Sequence, residues 1–314
     1  MRWKSGFFVG LLTLLSLTMA CAQRRSTNIE GRWDITVQAG GETYPSWLEV
    51  KRSGATLVGS FVGRFGSARP VSRVNFKDGK MNFTVPPQFE FRPAGVDLEF
   101  EGTVNGDRLE GTTKDERNRT LNWTGVRAPS LKRETAPQWG EPMRLFNGKD
   151  MEGWQPRDPN RPNGWVVKDG HLLNAKPGND IMTTQKFTDF KLHVEFRYPK
   201  GSNSGVYLRG RYEVQIEDDY GTEPEEHGIG GVYGYLKPIL NMAKKPGEWQ
   251  SYDITLVGRR ITLVFNGERV LDRQEIPGIT GGAIDSNEAE PGPLFFQGDH
   301  GPVELRNIIL TQPR

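Results

Sequence analysis

The chain has 314 residues, 35% of them hydrophobic, with 38 Gly, 21 Pro, one Cys and a formal net charge of +2. That is room for about two domains. It excludes a disulfide framework and a cysteine-ligated metal, and the charge is too balanced for a nucleic-acid footprint. Long helical periodicity is missing. Short alternating runs bounded by Gly, Pro, Asn or Asp take its place, which predicts an all-β protein.

Residues 1–20 read as a secretory signal: Met1-Arg-Trp-Lys supplies positive charge, Phe7 to Leu17 an apolar core, and Thr18 to Ala20 a small-residue end. The stretch is too short for a dependable membrane span. Cys21 stands at the expected cleavage point without a partner, which predicts lipid attachment. The segment resembles a bacterial lipoprotein signal ending in a lipobox, although Leu17 lies one place further from the cysteine than usual. The alternative is plain secretion with cleavage near Ala20. Either way the expected location is the periplasm or the cell surface of a bacterium, with membrane contact through any lipid on Cys21. Losing Arg2 and Lys4 with the signal leaves 39 basic and 39 acidic residues. Residues 22–133 then carry 18 basic and 13 acidic side chains, and residues 134–314 carry 21 and 26. Opposite signs favour docking of the two halves.

After a polar tether (21–28), residues 29–128 show roughly eight short strands, among them GRWDITV, SWLEVKR, TLVGSFVG and TLNWTGVR. Asp78-Gly79 and Asn105-Gly106 are hairpin signals. The pattern predicts a small antiparallel β-barrel or sandwich. Its Gly31-Arg-Trp33 opening resembles the start of lipocalin-like barrels, where the Trp plugs the core. No histidine lies here, since His171, His193, His227 and His300 are all downstream. This domain is expected to position, dock or bind rather than to do chemistry. Residues 129–142, with three prolines and no alternation, read as a linker.

From Met143 alternation resumes, with strands expected near 165–174, 190–199, 205–218, 249–257, 260–266 and 303–311 and a hairpin at Asn266-Gly267. In FKLHVEFR, His193, Glu195 and Arg197 alternate with Leu192, Val194 and Phe196. In the next two runs Tyr207 and Arg209 oppose Val206 and Leu208, and Glu213 and Gln215 oppose Val214 and Ile216. Three neighbouring strands would gather the polar set on one face. A solvated outer face paired across strands is the plain reading. Tyr, Gln, Arg and carboxylates together point instead to a sugar-binding surface, with planar hydrogen-bonding groups and an aromatic ring.

The runs MRLFNGKDMEGW (143–154), GWVVKDGHLL (164–173), 187–221, 230–272 and GPLFFQGDHGPVELRNIIL (292–310) resemble the 3-keto-disaccharide hydrolase family. The resemblance covers 143–314 and excludes 29–128. It implies a concanavalin-like, laminarinase-like jelly roll acting on glucosides oxidised to a ketone at C3, by lyase or hydrolase chemistry, in some members with a metal. Carried over by position, it implicates Glu195, Arg209, Glu213 and His300 as catalytic candidates. Gln215, Tyr207, Asn203, His193, Arg197 and Gln297 are then expected to bind substrate. Glu195 or Glu213 is the expected base or metal ligand, Arg209 the oxyanion or hydroxyl partner, and His300 the proton carrier. Asn203 also suits a tight turn on its own account. Any ion would be Ca, Mg or Mn held by oxygen and His donors, with Asp218 and Glu213 as candidate ligands. Trp249 is expected in the core and His227 on a mobile rim. The competing reading is a non-catalytic carbohydrate-binding lipoprotein with a lectin-like sheet. The paired E-x-D-x-x-E strand of laminarinases is not present.

Overall fold

A computed structural model describes residues 28–90 and 95–314. The signal-like segment, most of the tether and Cys21 lie outside the described residues. The amino-terminal half contains β1 (Gly31–Ala39), β2 (Glu42–Ser53), β3 (Thr56–Val62), β4 (Arg69–Val71), β5 (Val74–Lys77), β6 (Lys80–Val85), β7 (Leu98–Asn105), β8 (Arg108–Lys114) and β9 (Thr120–Arg127). They form one antiparallel sheet in the order β4-β3-β2-β1-β9-β8-β7-β6-β5. Its two edges, β4 and β5, are consecutive in the chain, and β3 and β4 approach β5 and β6, so the sheet nearly closes into a barrel. Trp33 fills the interior, fully buried, with its indole N–H donated to the Ile29 carbonyl at 2.9 Å. Phe61, Phe83 and Phe100 share this core, with Phe83 and Phe100 stacked at 4.8 Å and Phe61 tilted against both. Asp78 and Gly79 both take positive φ, as a two-residue hairpin loop requires. The loop after β7 is Gly106-Asp107, one residue later than the sequence signal placed it.

The carboxy-terminal half contains β10 (Met143–Arg144), β11 (Trp154–Pro156), β12 (Trp165–Lys168), β13 (His171–Asn174), β14 (Ile181–Phe187), β15 (Phe190–Arg197), β16 (Asn203–Leu208), β17 (Tyr212–Glu217), β18 (Gln250–Val257), β19 (Arg260–Phe265), β20 (Glu268–Glu275), β21 (Gly292–Phe296) and β22 (Val303–Thr311). One sheet runs β12-β13-β22-β15-β18-β19-β20, with β10 added beside β22. The other runs β11-β14-β21-β16-β17. Their inner faces share one apolar core, including Leu192, Val194, Phe196, Val206, Val214, Ile216, Leu263, Phe296 and Leu305. This is a two-sheet jelly roll, built as alternation predicts.

The halves are packed together rather than tethered. Trp47 and Val62 of the barrel belong to the jelly-roll core. Trp47 meets Tyr235 edge-on at 5.9 Å, and a Cβ at Gly278 would collide with its indole. Residues 129–142 are docked as well: Arg133 pairs with Asp189 at 2.7 Å, and Leu131 is buried. Arg32 of the barrel also pairs with Glu275 of the jelly roll at 2.6 Å, beside the apolar wedge and a buried group of Asp34, Glu288 and Arg259.

Candidate active site

The shorter sheet carries the cavity. On β16, β17 and β21 one set of side chains enters the core. The opposite set is covered by the 276–291 loop, the 227–236 loop and the barrel, so both faces are buried. Register places Tyr207 opposite Glu213 and Gly205 opposite Gln215, with Phe295 beside Tyr207. The Tyr207 and Phe295 rings stack at 3.9 Å. A cavity of about 340 Å³ opens over this face, lined by Asn203, Tyr207, Glu213, Gln215, Gln297 and His300 together with Arg157, Asp180, Tyr233 and Asp299. Gly205 makes room for the Glu213 side chain, since a Cβ there would run into its carboxyl.

Glu213 is only 4% exposed. Burial pushes its carboxyl up to about 8, against the lowering effects of the Tyr207 hydroxyl and the His300 charge. The Tyr207 hydroxyl lies 2.8 Å from Glu213 Oε2 and 2.9 Å from the Gly281 carbonyl. A phenol has one proton to donate. When it goes to Gly281, a protonated Glu213 completes the network by donating to the phenol oxygen. Burial thus favours a carboxyl that holds its proton near neutrality, and the Tyr207 hydroxyl works against it by donating to the ionised form.

His300 sits at the cavity mouth, its side chain 54% exposed, with Nδ1 2.6 Å from Asp299 Oδ1. That bond is the main reason its imidazole titrates above its ordinary value. Burial opposes the rise, and the charges of Asp299, Glu213 and Asp180 add to it. Burial pushes Asp299 upward in turn, but the His300 bond and charge outweigh it and leave the carboxylate below its usual range. Asp180 is raised by burial, although the Gly298 N–H at 3.0 Å and Arg157 at 3.0 Å work against it. Gln297 Oε1 is buried with no protein partner, so a polar ligand atom would satisfy it. A buried carboxyl of raised affinity for its proton, facing a histidine oriented by a second carboxylate, is equipped for proton transfer.

Four of the expected site residues are elsewhere. The three strands were expected to share a face, but β15 belongs to the longer sheet and β16 and β17 to the shorter one. The alternation in β15 holds, so His193, Glu195 and Arg197 point out from the other side of the sandwich. There Glu195 bonds Arg306 at 2.6 Å and Asn307 at 2.8 Å, His193 bonds Asp253 at 2.7 Å, and Arg197 bonds Glu304 at 2.7 Å. Burial raises Glu195, but these partners outweigh it and hold it below the ordinary carboxylate range. Trp249, expected in the core, lies on this outer face with Arg306 3.9 Å and Arg197 4.8 Å from its ring. Replacing Glu195 with glutamine should leave turnover within about twofold of wild type, the scale of ±0.5 kcal/mol typical of surface changes. Steady-state kinetics check this.

Arg209 is the fourth. It follows β16 in a turn with φ of 54°, which breaks the alternation, and it is 1% exposed. Its guanidinium donates to the Glu288 and Glu290 carbonyls. It therefore braces the 276–291 loop, and the guanidinium facing the cavity is that of Arg157. Arg157 lies just after β11 and Asp180 just before β14, far from the other lining residues in sequence and without a motif to mark them. Asp299 was more accessible to reading, as the immediate neighbour of His300. His227 meets Tyr233 and Phe89 edge-on at 5.2 and 5.6 Å, behind the cavity wall that Tyr233 provides.

The donors expected for a divalent ion do not come together. Glu213 and Asp218 are five residues apart along and beyond one strand, roughly 16 Å at 3.3 Å per residue. Asp218 accepts the Gly201 N–H at 2.7 Å. Among the described residues no three His, Cys, Asp or Glu side chains converge as a cage.

The architecture defines an antiparallel jelly roll with a polar cavity, lined by titratable side chains, on its shorter sheet. The family model of the 3-keto-alpha-glucoside-1,2-lyase-like domain matches residues 141–311, and the chain belongs to that family. A curated relative from Bacteroides thetaiotaomicron, the 3-keto-disaccharide hydrolase, is 30% identical, with 41% of this chain and 57% of that protein covered. The chain thus spans a little over half the length of that relative. Two solved structures from Parabacteroides distasonis, assigned as glycosyl hydrolases, are 29% and 24% identical. They cover 58% and 55% of this chain and 94% of each of theirs, with TM-scores of 0.48 and 0.46.

Proposed function

We propose that the chain is an exported carbohydrate-active enzyme that cleaves 3-keto-glycosides by removing the C2 proton and breaking the C1–oxygen bond. The observation that carries this reading is the pairing, in one cavity, of a Glu213 carboxyl at about 8 with a His300 imidazole oriented by Asp299. A C3 ketone acidifies the hydrogen at C2. Ionised Glu213 takes that proton, and the C–H electron pair forms the C2–C3 enediolate. Arg157, whose guanidinium is fixed by Asp180, is the donor available to the C3 oxygen, while the Tyr207 hydroxyl donates to the ionised Glu213. The enediolate then expels the C1 substituent. Protonated His300 gives its proton to the leaving oxygen, and a 1,2-unsaturated 3-keto sugar remains. Release at this stage is lyase action, and addition of water across C1=C2 gives free 3-keto-glucose. Residues 1–21 support export with a lipid on Cys21.

The test is purified protein with a 3-keto-disaccharide and with the same sugar unoxidised. Turnover of the oxidised sugar alone is expected, and inertness toward both contradicts the reading. Because Glu213 must be ionised to act as base, kcat/KM should rise through an acid limb with an apparent pKa near 8.

A further inference from the structure

One wall of the cavity comes from the other half of the chain. Phe65 and Gly66, in the loop between β3 and β4 of the barrel, line it together with Glu213 and His300. The family match begins at residue 141, so this wall lies outside the family domain. Phe65 is 54% exposed, so its ring is open to a ligand in the cavity.

The loop is fixed in place. The Gly282 N–H donates to the Arg64 carbonyl at 2.9 Å, and Gly281 packs so closely on Gly66 that a Cβ on it would collide with that backbone. Ser67 lies against Gly234, and its N–H donates to Glu90 at 2.9 Å. The Arg64 guanidinium sits 5.3 Å from the Phe65 ring centroid and 5.7 Å from that of Tyr44. An exposed aromatic ring on a braced loop is a platform formed in advance of any ligand.

We propose that Phe65 is the specificity-determining platform for the leaving group, receiving a ring-shaped aglycone by stacking. This rests on the reading of the cavity given above. Hydroxyl and ketone recognition belongs to the polar floor, from Asn203 to His300. The cavity volume, about 340 Å³, is near the lower end of ligand pockets, about 300–1,000 Å³. One sugar ring on that floor leaves the other side of the scissile bond at the barrel wall. The C–H face of a second sugar and the face of an aryl group share the chemistry that Phe65 offers.

The experiment compares methyl, glucosyl and phenyl 3-keto-glucosides of one anomeric configuration, on wild type, Phe65→Ala and Phe65→Trp, with thermal unfolding to confirm that each variant folds. Phe65→Ala should raise KM for a ring-bearing substrate about tenfold more than for the methyl glycoside, with kcat little changed. Tenfold corresponds to ~1.4 kcal/mol, the upper range of an aromatic contact. Phe65→Trp should restore the difference. Sensitivity of the glucosyl or the phenyl substrate supports the proposal and identifies which ring is recognised. An equal loss on all three substrates overturns it. If wild type turns over none of them, the proposed reaction fails. The platform is then judged by calorimetric binding of the same three ligands, and equal affinity of wild type and Phe65→Ala for each of them overturns it.

Discussion

Replacing Glu213 with glutamine is expected to lower kcat/KM on a 3-keto-glucoside by about 10²–10⁴-fold, the range a positioned proton-transfer group contributes. Glutamine has nearly the same shape and still offers the Tyr207 hydroxyl an acceptor, so the fold should survive. The same variant should alter the pH dependence of stability. The Glu213 carboxyl titrates at about 8 in the folded protein and near 4.3 in an unfolded chain. Between those values the native state binds a proton that the unfolded state has lost. Its contribution to stability is therefore complete below about pH 4, falls as pH rises to about 8 and is gone above. Glu213→Gln has no such loss. It should match wild type near pH 4 and be the more stable protein at pH 8–9, as thermal unfolding across that range would show. Turnover at the wild-type rate would remove Glu213 from the chemistry.

Removing the Glu288 carboxylate should give the largest loss of stability, about 3–5 kcal/mol, the cost of leaving a buried partner charge unpaired. Glu288 is fully buried in the 276–291 loop. Arg259 grips it with Nε at 2.9 Å and Nη2 at 2.5 Å, and the Tyr212 hydroxyl donates to it at 2.7 Å. Arg259 also donates to the Pro129 carbonyl at 2.9 Å, which ties in the segment joining the halves. From the barrel, Asp34 faces Glu288. Burial and then the Glu288 charge push Asp34 up to about 9. Burial also works to raise Glu288, but Arg259 outweighs it and keeps that group ionised, below its usual range. The pair thus shares one proton, held on Asp34. In Glu288→Ala, Arg259 would stay buried without its carboxylate, and Tyr212 would lose its acceptor. A lower urea midpoint is expected, with earlier separation of barrel from jelly roll.

The Asp34 proton adds a pH signature at the seam. Its folded pKa is raised, so the stability it confers is complete below about pH 4 and declines as pH rises toward about 9. Asp34→Asn should flatten that decline, and thermal unfolding from pH 5 to 9 measures it. An unchanged slope would place the proton elsewhere.

Parity along a strand was legible in the sequence, and it placed Tyr207, Glu213 and Gln215 together correctly. What parity cannot state is which sheet a strand joins. His193, Glu195 and Arg197 alternate just as cleanly, yet β15 crosses to the other sheet, so the same rule sends them to the opposite outer surface. Arg209 failed for a local reason, because one residue of positive φ ended the alternation at that point. Asp180 and Arg157 reach the cavity from strand ends remote in sequence, where neither period nor motif marks them. The run of short antiparallel strands was legible from its hairpin signals, which left barrel and sandwich open; closure follows from the approach of β3 and β4 to β5 and β6. The barrel's contribution to the cavity was not legible, because Phe65 acquires its position through contacts remote in sequence, among them the close packing of Gly66 on Gly281 and the Gly282 N–H on the Arg64 carbonyl.

Proton abstraction at C2 is tested most directly with a 3-keto-glucoside deuterated at that carbon, compared with the unlabelled compound under single turnover at pH 8. The proposed chemistry predicts slower cleavage of the deuterated substrate by wild type and loss of the deuterium to solvent in the product. Identical rates, with the label fully retained at C2, would contradict it.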